Sequence, residues 1–168
     1  MHTVVLVEGV SDQIAVETLA GRQGRDLAAE GVVVQPTGGA HGTRRYLERF
    51  AGQRVAGLCD VGEVQVVQRA LDGHTVLGIF VCVADLEDEL IRAAGTAEVL
   101  AVFGENGDLR SFRTIQQQPA WRGKDEAAQV RRFLGAGAQR KLRYARLLTE
   151  AIDLDRMPKP LADLLDAL

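Results

Sequence analysis

The stretch VVLVEGVSD, residues 4–12, indicates how this sequence folds. Its first half is a run of Val and Leu without polar alternation, which is typical of a strand buried on both faces of a parallel sheet. The run ends on Glu8, and Gly9 and Asp12 follow within four residues. Because a carboxylate is costly to bury without a partner, an acid at the end of such a strand needs a structural or functional reason.

Similar apolar runs recur along the chain, and segments with helical periodicity separate them. The runs are VVLVEG at 4–9, VVVQPTGG at 32–39, VAGLCDVG at 55–62 and VLGIFVCVAD at 76–85. Alternation of strand and helix predicts right-handed crossovers and a mainly parallel sheet with helices on both faces. We therefore expect an α/β fold with a central sheet of about four strands, and VLAVF at 99–103 is a candidate fifth strand.

The length of the chain and a change in its character after residue 105 predict one domain in two parts. With 168 residues, 46% of them hydrophobic, the chain can bury one core but not two. We expect residues 1–105 to form the α/β core and residues 106–168 a helical, basic part of the same domain. No run approaches the length of a membrane span and no basic, apolar leader precedes the first strand, so we expect a cytoplasmic protein.

Charge is distributed unevenly, although the formal net charge is only −3. Between Arg122 and Arg146 there are eight basic and two acidic residues, a local balance of +6, so the remainder carries −9. This pattern is expected where carboxylates hold cations and a separate surface holds phosphates. On charge alone, the solvated face of an amphipathic helix explains the basic segment equally well.

Three of the four predicted strands end in an acid. Glu8 closes the first strand, Asp60 the third and Asp85 the fourth. Because the carboxyl ends of parallel strands lie along one edge of the sheet, we expect these side chains to converge there. Grouped carboxylates repel one another unless a cation lies between them, and hard oxygen ligands suit Mg²⁺ or Mn²⁺ better than zinc.

Three further acids extend this predicted metal site. Asp12 follows Glu8 by four residues and is either a ligand or the N-cap of the first helix. Glu87 lies two residues after Asp85, near enough to share an ion with it. Glu63, three residues past the end of the third strand, is either a ligand or an acid that the dipole of the next helix favours.

The glycine-rich segment PTGGAHGTRRY at 36–46 leads into a predicted helix but lacks the Lys-Ser/Thr pair of a P-loop. Its glycines either form a tight turn or let the backbone approach a phosphate or a metal. His41 is the histidine nearest the predicted site, but none of the three histidines has the spacing of a ligand.

These motifs resemble the TOPRIM domain family, and most closely the nuclease domain of the OLD (overcoming lysogenization defect) endonucleases. VEGVSD resembles their first motif, DVGE the acidic motif after the third strand, VADLEDEL their DLE segment, and GAGAQRKLRYARLL the start of a late lysine-containing helix. The resemblance spans roughly residues 4–148. It implies a Rossmann-like TOPRIM fold and a metal-dependent nuclease that hydrolyses phosphodiester bonds of DNA with two Mg²⁺ or Mn²⁺ ions and little sequence specificity.

The resemblance also implies roles for individual residues. The metal ligands would be Glu8, Asp12, Asp60, Asp85 and Glu87, with Glu63 as a sixth. Asp60 would bridge the two ions, and Lys141 matches a lysine thought to stabilise the transition state, so that Glu8, Asp60 and Lys141 would be catalytic. The arginines expected to hold the nucleic-acid backbone are Arg131, Arg132, Arg140 and Arg143.

Two features depart from the family pattern. The usual Asp-x-Asp after the third strand is Asp60-Val61-Gly62 here, so one ligand is missing unless Glu63 replaces it. Full-length relatives carry an ATPase domain ahead of the nuclease domain, whereas this sequence has no Walker motif. We therefore expect that any use of ATP depends on a separate ATPase chain.

Two alternatives to a DNA endonuclease stay open. The first is an RNA-processing TOPRIM nuclease, because metal-assisted hydrolysis does not itself distinguish the sugars. The second is a non-catalytic module that binds metal and nucleic acid, which Gly62 favours. A topoisomerase would need a tyrosine delivered by a second large domain, and a primase usually adds a zinc module that two scattered cysteines cannot supply.

Overall fold

Strands and helices alternate from the start of the chain, as the apolar runs predict. A computed structural model describes residues 2–39 and 42–168. In these ranges the strands are β1 (Thr3–Val7), β2 (Val32–Pro36), β3 (Arg54–Asp60) and β4 (Thr75–Cys82). The α-helices in the same ranges are α1 (Val10–Arg22), α2 (Thr43–Leu47), α3 (Val64–Leu71), α4 (Leu86–Ala94), α5 (Thr96–Glu105), α6 (Leu109–Gln117), α7 (Glu126–Leu134), α8 (Ala138–Ala151) and α9 (Lys159–Ala167).

The four strands of the described residues form one parallel sheet in the order β2-β1-β3-β4. All five residues of β1 are buried between its two neighbours, which explains the unbroken apolar run at the start of the sequence. The chain moves from β1 to one side for β2 and to the other side for β3, so a topological switch point lies beside the carboxyl end of β1. The predicted α/β fold with a central sheet of four strands is confirmed.

The prediction of a fifth strand at 99–103 is wrong, because this segment lies inside helix α5. Val99, Val102 and Phe103 are buried, and their spacing of three and four residues places them on one helix face. A short continuous apolar run does not distinguish a strand from a buried helix. Helix α6 lies in the part predicted to be helical, but its polar sequence, whose one buried side chain is Phe112, did not predict its position.

The larger hydrophobic core contains residues from both sides of position 105. At its centre the Phe103 ring lies 5.2 Å from Phe112, 4.9 Å from Phe133 and 5.0 Å from Tyr144, measured between ring centroids. Helix α8 packs against α1 and α4, so its first turn, which carries Lys141, lies beside the carboxyl edge of the sheet. Across residues 2–39 and 42–168, no helix is long and apolar enough to cross a membrane.

Candidate metal centre

The carboxyl ends of three strands open onto a cavity of about 310 Å³. Its charged lining consists of five acids and one lysine: Glu8, Asp12, Asp60, Asp85, Glu87 and Lys141. The structure thus brings together residues that lie up to 133 positions apart in the sequence, as the parallel topology requires. Of the acids predicted as ligands, only Glu63 is not part of this lining.

Glu8 is fixed by backbone groups on both sides. Its carbonyl accepts hydrogen bonds from the N–H groups of Gly38 and Gly39 at 2.9 and 3.1 Å, and its Oε1 accepts one from the N–H of Asp60 at 3.0 Å. The two glycines have φ of 75° and 108°, a conformation that side chains disfavour. Gly38 and Gly39 therefore form a turn that holds Glu8, and Gly39 also lines the cavity, so both alternatives for these glycines stay open. His41 lies outside the described residues.

Asp12 belongs to the first turn of α1 as well as to the cavity. Its Oδ2 accepts a hydrogen bond from the N–H of Gly9 at 2.8 Å. Gly9 is the N-cap of this helix and Asp12 is three residues further on, so the alternative of Asp12 as the N-cap is wrong. The contact anchors the side chain at the helix end and leaves it at the cavity wall.

Glu63 lies against Glu8 rather than in the cavity lining. Its buried Oε2 has no hydrogen-bond partner among the described residues. Burial and a hydrogen bond shared with Glu63 raise the pKa of Glu8 to about 7. Two carboxylates in contact require a proton or a cation between them, so this pair is suited to holding either.

Two further acids of the cavity also retain their protons at higher pH than usual. Burial and the charge of Glu8 raise the pKa of Asp60 to about 7. Burial raises the pKa of Asp12 to about 6, although the hydrogen bond from Gly9 opposes this change. Burial and mutual repulsion both disfavour the ionised forms, and a divalent cation among the acids would favour those forms again.

Asp85 and Glu87 contact basic side chains of the C-terminal helices. Asp85 is the N-cap of α4, accepts a hydrogen bond from the N–H of Asp88 at 2.9 Å and forms an ion pair with Arg131 of α7. The Oε1 atom of Glu87 lies 3.1 Å from Nζ of Lys141 in α8. Burial alone would lower the pKa of Lys141, but Glu87 and the neighbouring acids raise it above its ordinary value.

The donor set suits a hard divalent cation, because carboxylate oxygens are the ligands that Mg²⁺ and Mn²⁺ prefer. Within residues 2–39 and 42–168, however, no three His, Cys, Asp or Glu side chains stand in position to hold one ion. Asp85 and Glu87 face basic side chains instead, and Glu8 accepts a backbone hydrogen bond. Rotation of these side chains is needed before they can surround an ion.

The other three arginines predicted to bind nucleic acid lie on α7 and α8 outside the cavity lining. Arg140 donates to the carbonyl of Phe133 at 3.2 Å, and its guanidinium carbon lies 4.0 Å from that ring's centroid. Arg143 pairs with Asp108 at 3.2 Å, and Arg132 lies 6.0 Å from the centroid of the tryptophan ring. Each of these guanidinium groups is thus held by a contact with a neighbouring side chain or carbonyl.

Comparisons with known proteins bear on the fold that carries these residues. The family model described as "Overcoming lysogenization defect protein-like, TOPRIM domain" matches residues 1–60. The C-terminal region of the Burkholderia pseudomallei OLD protein has a TM-score of 0.69 at 15% identity, over 98% of this chain and 95% of that chain. A structure of the C-terminal region of the Xanthomonas campestris pv. campestris OLD protein has a TM-score of 0.67 at 22% identity, over 99% and 91%.

No curated protein matches the chain. At 15–22% identity the solved structures establish the fold and nothing finer. That fold covers the acidic cavity and the basic C-terminal helices alike, because both lie within the superposed length. The resemblance predicted from the sequence is confirmed: residues 1–60 match an OLD-like TOPRIM domain, and the chain has the fold of OLD C-terminal regions over nearly its whole length.

Proposed function

We propose that this chain is a divalent-metal-dependent nuclease that hydrolyses phosphodiester bonds of DNA. The observation that carries the proposal is the cavity at the carboxyl edge of the sheet, where five acids and one lysine converge. Such an edge is where open α/β folds place their sites. The match of residues 1–60 to an OLD-like TOPRIM domain supports a metal-binding module of the nuclease type.

The acids divide into two groups that would hold two Mg²⁺ or Mn²⁺ ions. Glu8 and Asp12 come from β1 and α1, Asp85 and Glu87 from the start of α4, and Asp60 at the end of β3 would bridge the groups. When bound, the ions would lower the pKa of the attacking water and neutralise the leaving 3′ oxygen. The raised pKa values of Glu8, Asp12 and Asp60 support a cation at this place, because it would relieve their repulsion.

Lys141 would add positive charge beside the scissile phosphate. Its side chain is half exposed and its pKa is raised, so it is protonated at neutral pH. A fixed cation at this position stabilises the negative charge that develops on the phosphate in the transition state. Glu87 pairs with this ammonium, and if Glu87 served as a metal ligand instead, the ammonium would be available to the phosphate.

The arginines of α7 and α8 would bind the flanking nucleic-acid backbone. Contacts between guanidinium groups and phosphates carry no base information, so they give affinity without sequence preference. They also release counterions, and binding should therefore weaken steeply as salt is added.

One observation favours a second candidate, a module that binds metal and nucleic acid without cleaving it. The resemblance implies an acid where this chain has Gly62, and no group of three ligands is preassembled among the described residues. A site with one ligand fewer can still bind a cation and yet fail to position two ions for hydrolysis.

Plasmid nicking separates the two candidates. The purified protein should convert supercoiled plasmid into open circles with Mn²⁺ or Mg²⁺ and not with EDTA. Asp60→Ala should abolish nicking without loss of folding, and Glu150→Gln, which removes an exposed acid of α8, should not. A labelled RNA of the same sequence, added in parallel, tests the RNA-processing alternative.

Equal nicking by the wild type and Asp60→Ala would show that a contaminating nuclease acts. DNA binding without cleavage under any metal would contradict the nuclease and establish the binding module. Faster cleavage of RNA than of DNA would support metal-dependent hydrolysis but indicate that RNA is the substrate.

A further inference from the structure

Glu89 is a buried acid outside the cavity lining. The sequence predicts only a first-turn acid of α4 that the helix dipole favours. In the fold its side chain is 6% exposed. Its Oε1 accepts a hydrogen bond from the N–H of Val83 at 2.9 Å and lies 2.7 Å from NH2 of Arg92. A carboxylate this deeply buried needs hydrogen-bond or ion-pair partners. One of its two partners, the N–H of Val83, belongs to the turn that carries Asp85.

The N–H of Val83 is the first backbone donor after β4 ends at Cys82. Two residues later Asp85 caps α4, so residues 83–85 form the whole connection between strand and helix. The side chain of Val83 is 67% exposed and does not anchor this connection in the core. The hydrogen bond to Glu89 therefore ties the end of β4 to the helix that follows it.

We propose that Glu89 is a positioning residue, which holds Asp85 and Glu87 in place through the N–H of Val83. For metal binding the inference rests on the proposed function, since those two acids are the ligands it would orient. The effect on the backbone of residues 83–85 follows from the hydrogen bond between Val83 and Glu89 and does not depend on the proposed function. Without the bond to Glu89, residues 83–85 would be free to move away from the sheet edge, and the carboxylates would move with them.

Asp88 provides a matched control. It pairs with the same arginine, Arg92, at 2.9 Å, but among the described residues its side chain makes no hydrogen bond to the 83–85 connection. Removal of either Asp88 or Glu89 therefore eliminates one ion pair of Arg92. Only removal of Glu89 also leaves the N–H of Val83 without its acceptor.

Amide hydrogen exchange tests the inference without metal. In Glu89→Leu the amides of Val83 and of Asp88, which donates to Asp85, should exchange roughly tenfold faster, as loss of one hydrogen bond predicts. Glu89→Gln keeps an acceptor and should restore protection, and Asp88→Ala should leave the Val83 amide protected. If Glu89→Leu does not fold, Glu89→Asp, which is too short to reach Val83, replaces it.

Calorimetric titration with Mn²⁺ tests the consequence for the site. We expect Glu89→Leu to weaken Mn²⁺ binding roughly 10- to 100-fold, the usual effect of removing a group that orients a ligand, and Glu89→Gln and Asp88→Ala to bind nearly as the wild type does. Unchanged protection at the Asp88 amide, or unchanged Mn²⁺ affinity in Glu89→Leu, would overturn the inference. A wild type that binds no Mn²⁺ would contradict the proposed function, while the exchange result would still decide the positioning role.

Discussion

Gly62 occupies the position at which the resemblance to OLD-like TOPRIM domains implies a second acid after β3. An ideal Cβ at Gly62 meets no atom within 4 Å, and its φ lies outside the left-handed region, so a side chain fits there. We expect Gly62→Asp to supply an additional oxygen ligand and to raise Mn²⁺ affinity about tenfold, equivalent to about 1.4 kcal/mol. Calorimetric titration measures this change, and Gly62→Asn is the matched control because it adds similar volume without charge.

An unchanged affinity in Gly62→Asp would show that residue 62 does not face the ions. The carboxylate of Glu63, which already lies against Glu8 with an unpartnered buried oxygen, would then be the better candidate for the missing ligand. Loss of stability in both variants would instead show that the short helical turn at Val61–Glu63 cannot accept a side chain.

The acids that line the cavity could be predicted from the sequence, whereas the pairing of Asp85 with Arg131 could not. Glu8, Asp60 and Asp85 each end an apolar run, and parallel topology then brings them to one edge. The ion pair between Asp85 and Arg131 joins residues 46 positions apart. Such a contact depends on how α7 packs, and no local pattern encodes it. Glu89 was missed as a buried group for the same reason.

Helix α7 pairs Arg131 with Asp85, so this arginine would compete with a metal ion that the proposed function places on the same carboxylate. We expect Arg131→Gln to bind Mn²⁺ more tightly by several-fold, because a competing cation is removed, and to bind DNA more weakly, because a phosphate contact is lost. Calorimetry and salt-dependent DNA binding measure the two effects. Arg132→Gln makes the same change of charge one residue away, beside the tryptophan ring, and should leave Mn²⁺ affinity unchanged.

A weaker Mn²⁺ affinity in Arg131→Gln would contradict the competition. It would mean that the arginine orients Asp85 for the ion rather than occupying its place. Equal effects in Arg131→Gln and Arg132→Gln would show that only the overall charge of α7 matters.

Helices and strands whose apolar residues repeat at one clear spacing could be predicted from the sequence. Residues 106–168, predicted to be helical, contain the helices Ala138–Ala151 and Lys159–Ala167. The run at 99–103 is apolar at every position, so the spacing of its apolar residues does not distinguish a strand from a helix. Its Phe103 packs against Phe112 and Phe133 of the C-terminal helices, a contact that the sequence does not reveal. Helix α6 has the opposite problem: its polar surface conceals a single buried face around Phe112.

At the scale of the molecule, one edge of the sheet collects the acids and the last third of the chain supplies the cations. The uneven charge of the sequence, +6 over residues 122–146 against −9 elsewhere, predicted this separation. It did not predict that the two parts meet at the cavity, where Arg131 and Lys141 contact Asp85 and Glu87. The packing of α8 against α1 and α4 brings them together.

The crowded acids make stability depend on pH in a direction that can be worked out. The raised pKa values of Glu8, Asp12 and Asp60 are about 7, 6 and 7, whereas the unfolded chain has ordinary values of about 4. Between pH 4 and 7 the folded protein therefore binds more protons than the unfolded chain. The contribution of these groups to the free energy of unfolding is complete below about pH 4 and falls as pH rises towards 7.

Urea denaturation at pH 5.5 and 7.5 tests this with EDTA and with Mn²⁺. With EDTA the free energy of unfolding should be lower at pH 7.5, and Asp60→Asn should reduce the difference, while Glu150→Gln should not. Mn²⁺ should reverse the trend because its ligands must lose their protons, and at 100 times the dissociation constant it should add about 2.7 kcal/mol at pH 7.5 and less at pH 5.5. Equal stabilisation by Mn²⁺ at both pH values would show that the ion binds elsewhere than among these acids. A wild-type pH difference in Asp60→Asn with EDTA would show that Asp60 does not cause it.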